Sequence, residues 1–210
     1  MTLKITSITA INGGAEVCIG VGIEEGENSE KRQLLLLSRQ YAELRVQKGE
    51  ISPELFDRLL EASEICAAVK RGMNILGYGA CSEKNMTLKL RSKGFSRESA
   101  ESAAGYLCEL GYINERDDAL REAEKCIKKH WGLKRIAAAL YEKGYSSDAI
   151  SLALEELEGY DFSDSCAELI RKKFRALPDD RETQKKIFAN LLRYGYTSSE
   201  IKKAFELVKG

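Results

Sequence analysis

Net charge is missing from this sequence: 33 Lys and Arg balance 33 Asp and Glu among 210 residues. Whole-chain charge therefore gives no argument for a nucleic-acid or membrane partner, and only local charge can. No apolar run approaches the roughly 20 residues that span a bilayer. The first twenty residues, Met1 to Gly20, lack the basic start, apolar centre and cleavage site of a leader. A cytoplasmic protein without a membrane partner is expected. The six cysteines Cys18, Cys66, Cys81, Cys108, Cys126 and Cys166 are scattered without a C-x-x-C pair, and His130 is the only histidine. Reduced, packed thiols are expected, with no metal site and no cofactor.

Catalytic constellations are missing too. No catalytic pair of carboxylates, no H-E-x-x-H and no phosphate-cradling loop can be picked out, since Gly13-Gly14 lacks the lysine and helix of a P-loop. His130 stands among Lys128, Lys129 and Trp131, with no carboxylate nearby in the sequence to orient it as a base. The chain is expected not to be an enzyme.

What the chain does contain is one phrase written three times: "LRSKGFSRESAESAA" from Leu90, "LYEKGYSSDAISLAL" from Leu140 and "LLRYGYTSSEIKKAF" from Leu191. Gly94, Gly144 and Gly195 each follow a helical pattern and suit the left-handed residue that ends a helix, where a Cβ is strained. Phe95, Tyr145 and Tyr196 follow and fold back on the helix just ended. Ser96, Ser146 or Ser147, and Thr197 then cap the next helix, with the Thr197–Glu200 spacing of a capping box. Helical runs precede each corner at Phe56–Met73, Asp118–Lys129 and Asp164–Ala176, making three helices per repeat of about fifty residues.

Before residue 50 the composition differs. "LKITSITAINGGAEVCIGVGIEEGE" alternates apolar and polar residues and breaks at Gly13-Gly14 and Gly26, the pattern of a β-hairpin. Leu34–Leu37 fits strand or helix, and helix is slightly favoured. From Ser52-Pro53 onward the sequence reads as helix, with Leu55, Phe56, Leu59, Leu60, Ser63 and Ile65 as its first apolar stripe. The expected fold is mainly α: three tandem three-helix repeats in an elongated curved array behind a small N-terminal β unit. The divisions are 1–62, 63–113, 114–163 and 164–210.

Charge alternates in sign along these repeats. Lys125, Lys128, Lys129, Lys134 and Arg135 gather around Trp131; Arg171, Lys172, Lys173 and Arg175 form a second cluster; Lys185 and Lys186 follow. Between them, Tyr145 to Asp164 contains no Lys or Arg but carries Asp148, Glu155, Glu156, Glu158, Asp161 and Asp164. The basic clusters are the candidate surface for a partner or for DNA.

"EKGYSSDAISLALEEL", "CELGYINERDDALREAEKC" and "KKHWGLKRIAAALYEKGY" resemble the RecX regulatory proteins, bacterial modulators of the RecA recombinase, over about Asn74 to Gly210. The family usually carries Pro after the glycine of the second repeat, where this chain has Gly132-Leu133. The resemblance implies a monomer that binds the RecA filament on single-stranded DNA. It also implies modulation of ATP turnover, filament growth and strand exchange in recombinational repair. The alternative is a helix-turn-helix repeat protein that binds DNA without a recombinase. Against it, a recognition helix should offer Arg, Lys, Asn or Gln from its opening turns, whereas the helix after Tyr145 opens "SSDAISLALEEL".

Overall fold

A computed structural model of the chain describes residues 2–26, 28–174, 178 and 180–209. Its strands are β1 (Thr2–Ile11), β2 (Glu16–Glu25), β3 (Asn28–Leu37) and β4 (Gly49–Glu50), which form one antiparallel sheet in the order β3-β2-β1-β4. Alternation does the work in β1: Leu3 and Ile5 are buried while Lys4 between them is exposed. A register shift between Ile5 and Ser7 bends the strand.

Leu34–Leu37 corrects the sequence reading. These residues end β3 rather than open a helix, because Leu34 pairs with Ile19 and Leu36 with Val17, burying both side chains on the sheet's inner face. The helix expected there begins one residue later, at α1 (Ser38–Leu44), where the Leu37 N–H donates to Gln40 Oε1 at 3.0 Å.

Helix α2 (Pro53–Leu76) starts as its sequence dictates, with Pro53 in the first turn and Ser52 Oγ accepting the Leu55 N–H. Its buried stripe is Phe56, Leu59, Ala62, Cys66 and Val69, so the helix turns Leu60, Ser63 and Ile65 further outward than expected. The first half closes the sheet core: Phe56, Leu59 and Ala62 pack with Leu3, Ile5, Ile19 and Leu36. Ser63 lies beside that core, its Oγ accepting the Leu35 N–H at 3.3 Å.

The helices fall into triplets. The first is α2 with α3 (Glu83–Arg91) and α4 (Arg97–Glu109); the second is α5 (Glu115–Ile127), α6 (Leu133–Glu142) and α7 (Ser147–Glu155). The third is α8 (Phe162–Phe174), α9 (Arg181–Arg193) and α10 (Ser198–Lys209). Within each, the first helix packs on the third. Two compact units result, Met1–Gly79 with Met86–Tyr112, and Ala80–Asn85 with Ile113–Gly210. The division expected at 62/63 falls inside α2, that at 113/114 between α4 and α5, and that at 163/164 in the first turn of α8. Ala176, where a helical run was expected to end, lies outside the described residues. No helix among the described residues is long and apolar enough to cross a membrane.

Candidate functional site

The three repeated phrases build one corner. Gly94, Gly144 and Gly195 have φ of 94°, 75° and 93°. In each, the glycine N–H reaches back three residues and the next N–H five: Phe95 to Leu90, Tyr145 to Leu140 and Tyr196 to Leu191, at 3.3–3.4 Å. Tyr145 and Tyr196 are buried, and Phe95 is half-buried. Burial pushes the Tyr145 phenol up to about 12 and also raises that of Tyr196, whose O–H donates to the His130 carbonyl at 2.8 Å. Ser96, Ser146 and Thr197 cap the helices that follow, and Glu200 closes the box by accepting the Thr197 N–H at 2.6 Å.

A carboxylate from the first helix fastens two of these corners. Glu64 accepts the Ser96 N–H at 2.9 Å and the Ser96 and Ser99 hydroxyls; Glu115 accepts the Ser146 N–H at 2.9 Å. The backbone N–H of Ser96 is the chief reason the Glu64 carboxyl titrates below its usual range.

Sequence reading missed a further corner. Helix α5 ends with His130 in the left-handed position at φ 54°, its N–H donating to Ile127, and with the Trp131 N–H donating to Cys126 at 3.2 Å. "H-W" here occupies the backbone positions that "G-F" and "G-Y" occupy elsewhere. The structure adds neighbours to His130 that are remote in sequence: Nδ1 lies 3.7 Å from Glu168 Oε2 and 3.4 Å from Ser165 Oγ, both brought by α8.

Beyond this corner, α6 starts against the backbone of the third triplet. The Gly132 N–H donates to the Tyr194 carbonyl at 2.8 Å and the Lys134 N–H to the Gly195 carbonyl at 3.2 Å. That docking joins the two basic clusters through Tyr194, a residue not singled out from sequence. The Arg135 guanidinium carbon sits 4.1 Å from the Trp131 ring centroid and 5.0 Å from that of Tyr194. Lys129 lies 5.4 Å from the Trp131 ring and Lys173 4.7 Å from the Tyr194 ring. Lys173 also donates to Asn190 Oδ1 and the Tyr194 hydroxyl, both at 3.2 Å. Stacking on rings fixes a cation without neutralising it. Nothing in the sequence reveals Tyr194, because it acts through a backbone approach between repeats.

The other candidate residues divide by partner. Among the described residues, Lys128, Lys129, Lys134, Arg135, Lys172 and Lys173 form no ion pair with a carboxylate, and Lys128, Lys134 and Lys172 are exposed. Lys125 differs, for it shares Glu122 with Lys143 at 3.3 and 3.0 Å. Burial pushes the Glu122 carboxyl up, but the two ammonium groups outweigh it and hold it below its usual range. Arg171 turns to the end of α10, donating to the Leu207 carbonyl at 2.7 Å. Lys186 pairs with Glu182 at 3.6 Å, Lys185 is exposed, and Arg175 lies outside the described residues. The outcome is a ridge of cations without ion pairs just past the end of α5, on α6 and on α8, of which Lys129, Arg135 and Lys173 lie against Trp131 and Tyr194.

Known proteins were compared with the chain. Residues 160–205 match the family model for the RecX third three-helix domain. The chain is 30% identical over 141 residues to the regulatory protein RecX of Stenotrophomonas maltophilia (strain R551-3), covering 65% of this chain and 83% of that protein. To the regulatory protein RecX of Finegoldia magna it is 27% identical over 177 residues, covering 81% and 86%. Among solved structures, a regulatory protein RecX aligns with a TM-score of 0.74 at 20% identity over 99% of this chain and 98% of the other. RecX from Lactobacillus salivarius aligns with a TM-score of 0.61 at 22% identity over 70% and 98%.

Proposed function

The chain belongs to the RecX family of regulatory proteins, and on that premise we propose that it binds the RecA recombinase filament on single-stranded DNA and inhibits it. Binding lowers ATP turnover, filament growth and strand exchange. The ridge around Trp131 and Tyr194 makes the contact. One observation carries this placement: cations from two triplets meet on one surface, held by rings and backbone rather than neutralised by carboxylates. Such a surface suits an acidic filament face or DNA phosphates, and its affinity falls with salt. Each single contact is weak; several on one rigid surface act together.

Base reading by the repeated corners is not supported. The helices that follow them open with Arg97 paired to Glu101 at 2.8 Å, with Asp148 exposed and with Glu200 committed to its own cap. A major groove would repel the second of these openings.

The test is single-stranded-DNA-dependent ATP hydrolysis by the host recombinase. The wild-type chain lowers it. Replacement of Lys128, Lys129, Lys134 and Arg135 by Glu weakens inhibition tenfold or more, on the order of 1.4 kcal/mol. The same change at exposed Lys4 and Lys31 of the sheet does much less. An unchanged ATPase rate at several-fold molar excess of wild-type protein overturns the reading.

A further inference from the structure

Each corner after the first receives the opening turn of a helix from the repeat before it. On the second, the Ser82 hydroxyl and the Asn85 side-chain amide donate to the Lys143 carbonyl at 2.7 and 2.8 Å, and the Glu83 N–H donates to Glu115 Oε1 at 3.0 Å. On the third, the Gly132 and Lys134 N–H groups take the carbonyls of Tyr194 and Gly195. Both occupants bring a small residue, Ser82 or Gly132, against the corner glycine. Gly132 opens α6 without a side-chain cap, so the corner supplies what the helix start lacks. Helix α9 needs no corner, since Asp180 caps it by accepting the Glu182 and Thr183 N–H groups.

The first corner has the same parts and, among the described residues, no occupant. Lys93 and Gly94 stand where Lys143 and Gly144, then Tyr194 and Gly195, stand in the later phrases. Both are exposed, whereas Gly144 is half-buried and Gly195 buried, and a Cβ on Gly94 would meet nothing within 4 Å. Glu64 takes the place of Glu115: its Oε1 accepts the Ser96 N–H as Glu115 Oε2 accepts that of Ser146. A carboxylate oxygen has a second lone pair, the kind through which Glu115 also holds the Glu83 N–H.

Charge tells what would fill the place. Lys89, Arg91 and Lys93, on or just past the last turns of α3, are exposed and form no ion pair among the described residues. Of the carboxylates around them, Glu64 is committed to Ser96 and Ser99 and Glu101 to Arg97, which leaves Glu98, exposed at the opening of α4. The cations prevail.

We propose that the first corner docks a partner protein by the opening turn of an exposed helix, one that begins with Ser or Gly and carries Asp or Glu in its first turn. The small residue donates to the Lys93 carbonyl, a following N–H reaches Glu64, and the acidic side chain pairs with Arg91 or Lys93. The pose is that of Ser82–Asn85 on the second corner. A second copy of the chain does not offer α9 for this, because Asp180 already takes up its first N–H groups. Charge complementarity orients the incoming helix, and salt weakens the contact. The inference is independent of the ridge around Trp131 and of the regulatory reading.

The probe is a stapled helical peptide that opens Ser-Glu-Glu-Asn, titrated into the isotope-labelled full chain and followed by amide resonances. Those of Lys93, Gly94 and Phe95 shift with a Kd of about 1 mM or tighter, while those of Gly144 and Gly195, in filled corners, stay in place. A Leu in place of the opening Ser weakens binding at least fivefold, and so does Arg91→Glu/Lys93→Glu in the protein. A peptide opening Ser-Lys-Lys-Asn prefers that variant to the wild type. Gly94→Ala, whose methyl enters the space of the opening residue, also weakens binding; should its strain unfold the chain, as circular dichroism detects, the charge exchange decides alone. Resonances at Lys93 to Phe95 that do not move at about 5 mM peptide overturn the proposal. Equal binding of the Leu-opened peptide does so too, since charge alone would then be read. An oligothymidylate that moves these resonances where the peptide does not assigns the cations to phosphate, and a shift on concentrating the chain alone assigns the corner to a second copy. Either result equally overturns it.

Discussion

Gly132 and Gly195 meet backbone to backbone: a Cβ on Gly132 would stand 2.5 Å from the Gly195 carbonyl oxygen, and one on Gly195 would stand 2.5 Å from Arg135 Cβ. This approach seats the first turn of α6 on the last corner of the chain and sets Arg135 between two rings. Glycine is required at both places for space, and at Gly195 for its positive φ as well.

The corner glycines consequently form a graded series, although all three share the left-handed conformation. Gly94→Ala meets only backbone strain, about 1 kcal/mol, because nothing lies within 4 Å of its Cβ. Gly144→Ala adds a neighbour at 3.1 Å, Ser82 Oγ, and costs somewhat more. Gly195→Ala meets both strain and collision and costs about 3 kcal/mol or more. Urea unfolding of the three variants should give that order; equal losses would mean that the close approach at Gly195 is not made in solution.

Arg135→Lys should not behave as a conservative change. A lysine keeps the charge but loses the flat guanidinium that stacks between Trp131 and Tyr194. We expect inhibition of the recombinase ATPase to weaken roughly three- to tenfold, with helicity unchanged. Lys134→Arg, at an exposed position without a ring, should leave it unaltered.

Stability should carry an acid-sensitive contribution from Asp161. Its carboxyl is held at about 2 rather than 3.8, first by the Lys203 ammonium at 2.9 Å and then by the backbone N–H groups opening α8. A depressed carboxyl stabilises the fold above its unfolded value and loses that effect as pH falls through the folded one. The Tm gap between wild type and Asp161→Asn should therefore be constant above about pH 5 and should close between about pH 4 and pH 2. A gap that persists at the acid end would assign it to shape rather than charge.

Thiol chemistry should be slow in the folded chain. Cys66, Cys81, Cys126 and Cys166 are buried, and burial is the main cause that raises the Cys66 and Cys126 thiols and pushes Cys166 up to about 12. Iodoacetamide near pH 8 should leave these four unmodified until urea is added, as read by peptide mass spectrometry.

Local backbone demands were the legible part of this protein. A glycine that must take positive φ, followed by an aromatic and a capping hydroxyl, leaves a trace in a dozen adjacent letters, so Gly94, Gly144 and Gly195 were found with their caps. Leu34–Leu37 was not, because four leucines fit either period and the pairing with Val17 and Ile19 that decides between them lies across a turn. The basic clusters were legible as composition, but their meeting was not: it depends on Gly132 approaching Gly195, and on Tyr194, whose letter resembles any helix-end aromatic. The neighbours of His130 were illegible for the same reason, since Glu168 and Ser165 come from another helix.

The carboxylates that hold the corners bear on how fast amide protons leave them. The Ser96 N–H is tied to Glu64, deep within a helix of 24 residues, so its exchange waits for an opening of α2 at mid-length. The Ser146 N–H is tied to Glu115, the first residue of α5, where fraying of a single turn releases it. Thr197 is bound by Glu200 within its own turn and depends on no other helix. Three corners of one backbone shape thus answer to three different clocks. Deuterium uptake should be slowest at Ser96, although its corner resembles the other two residue for residue.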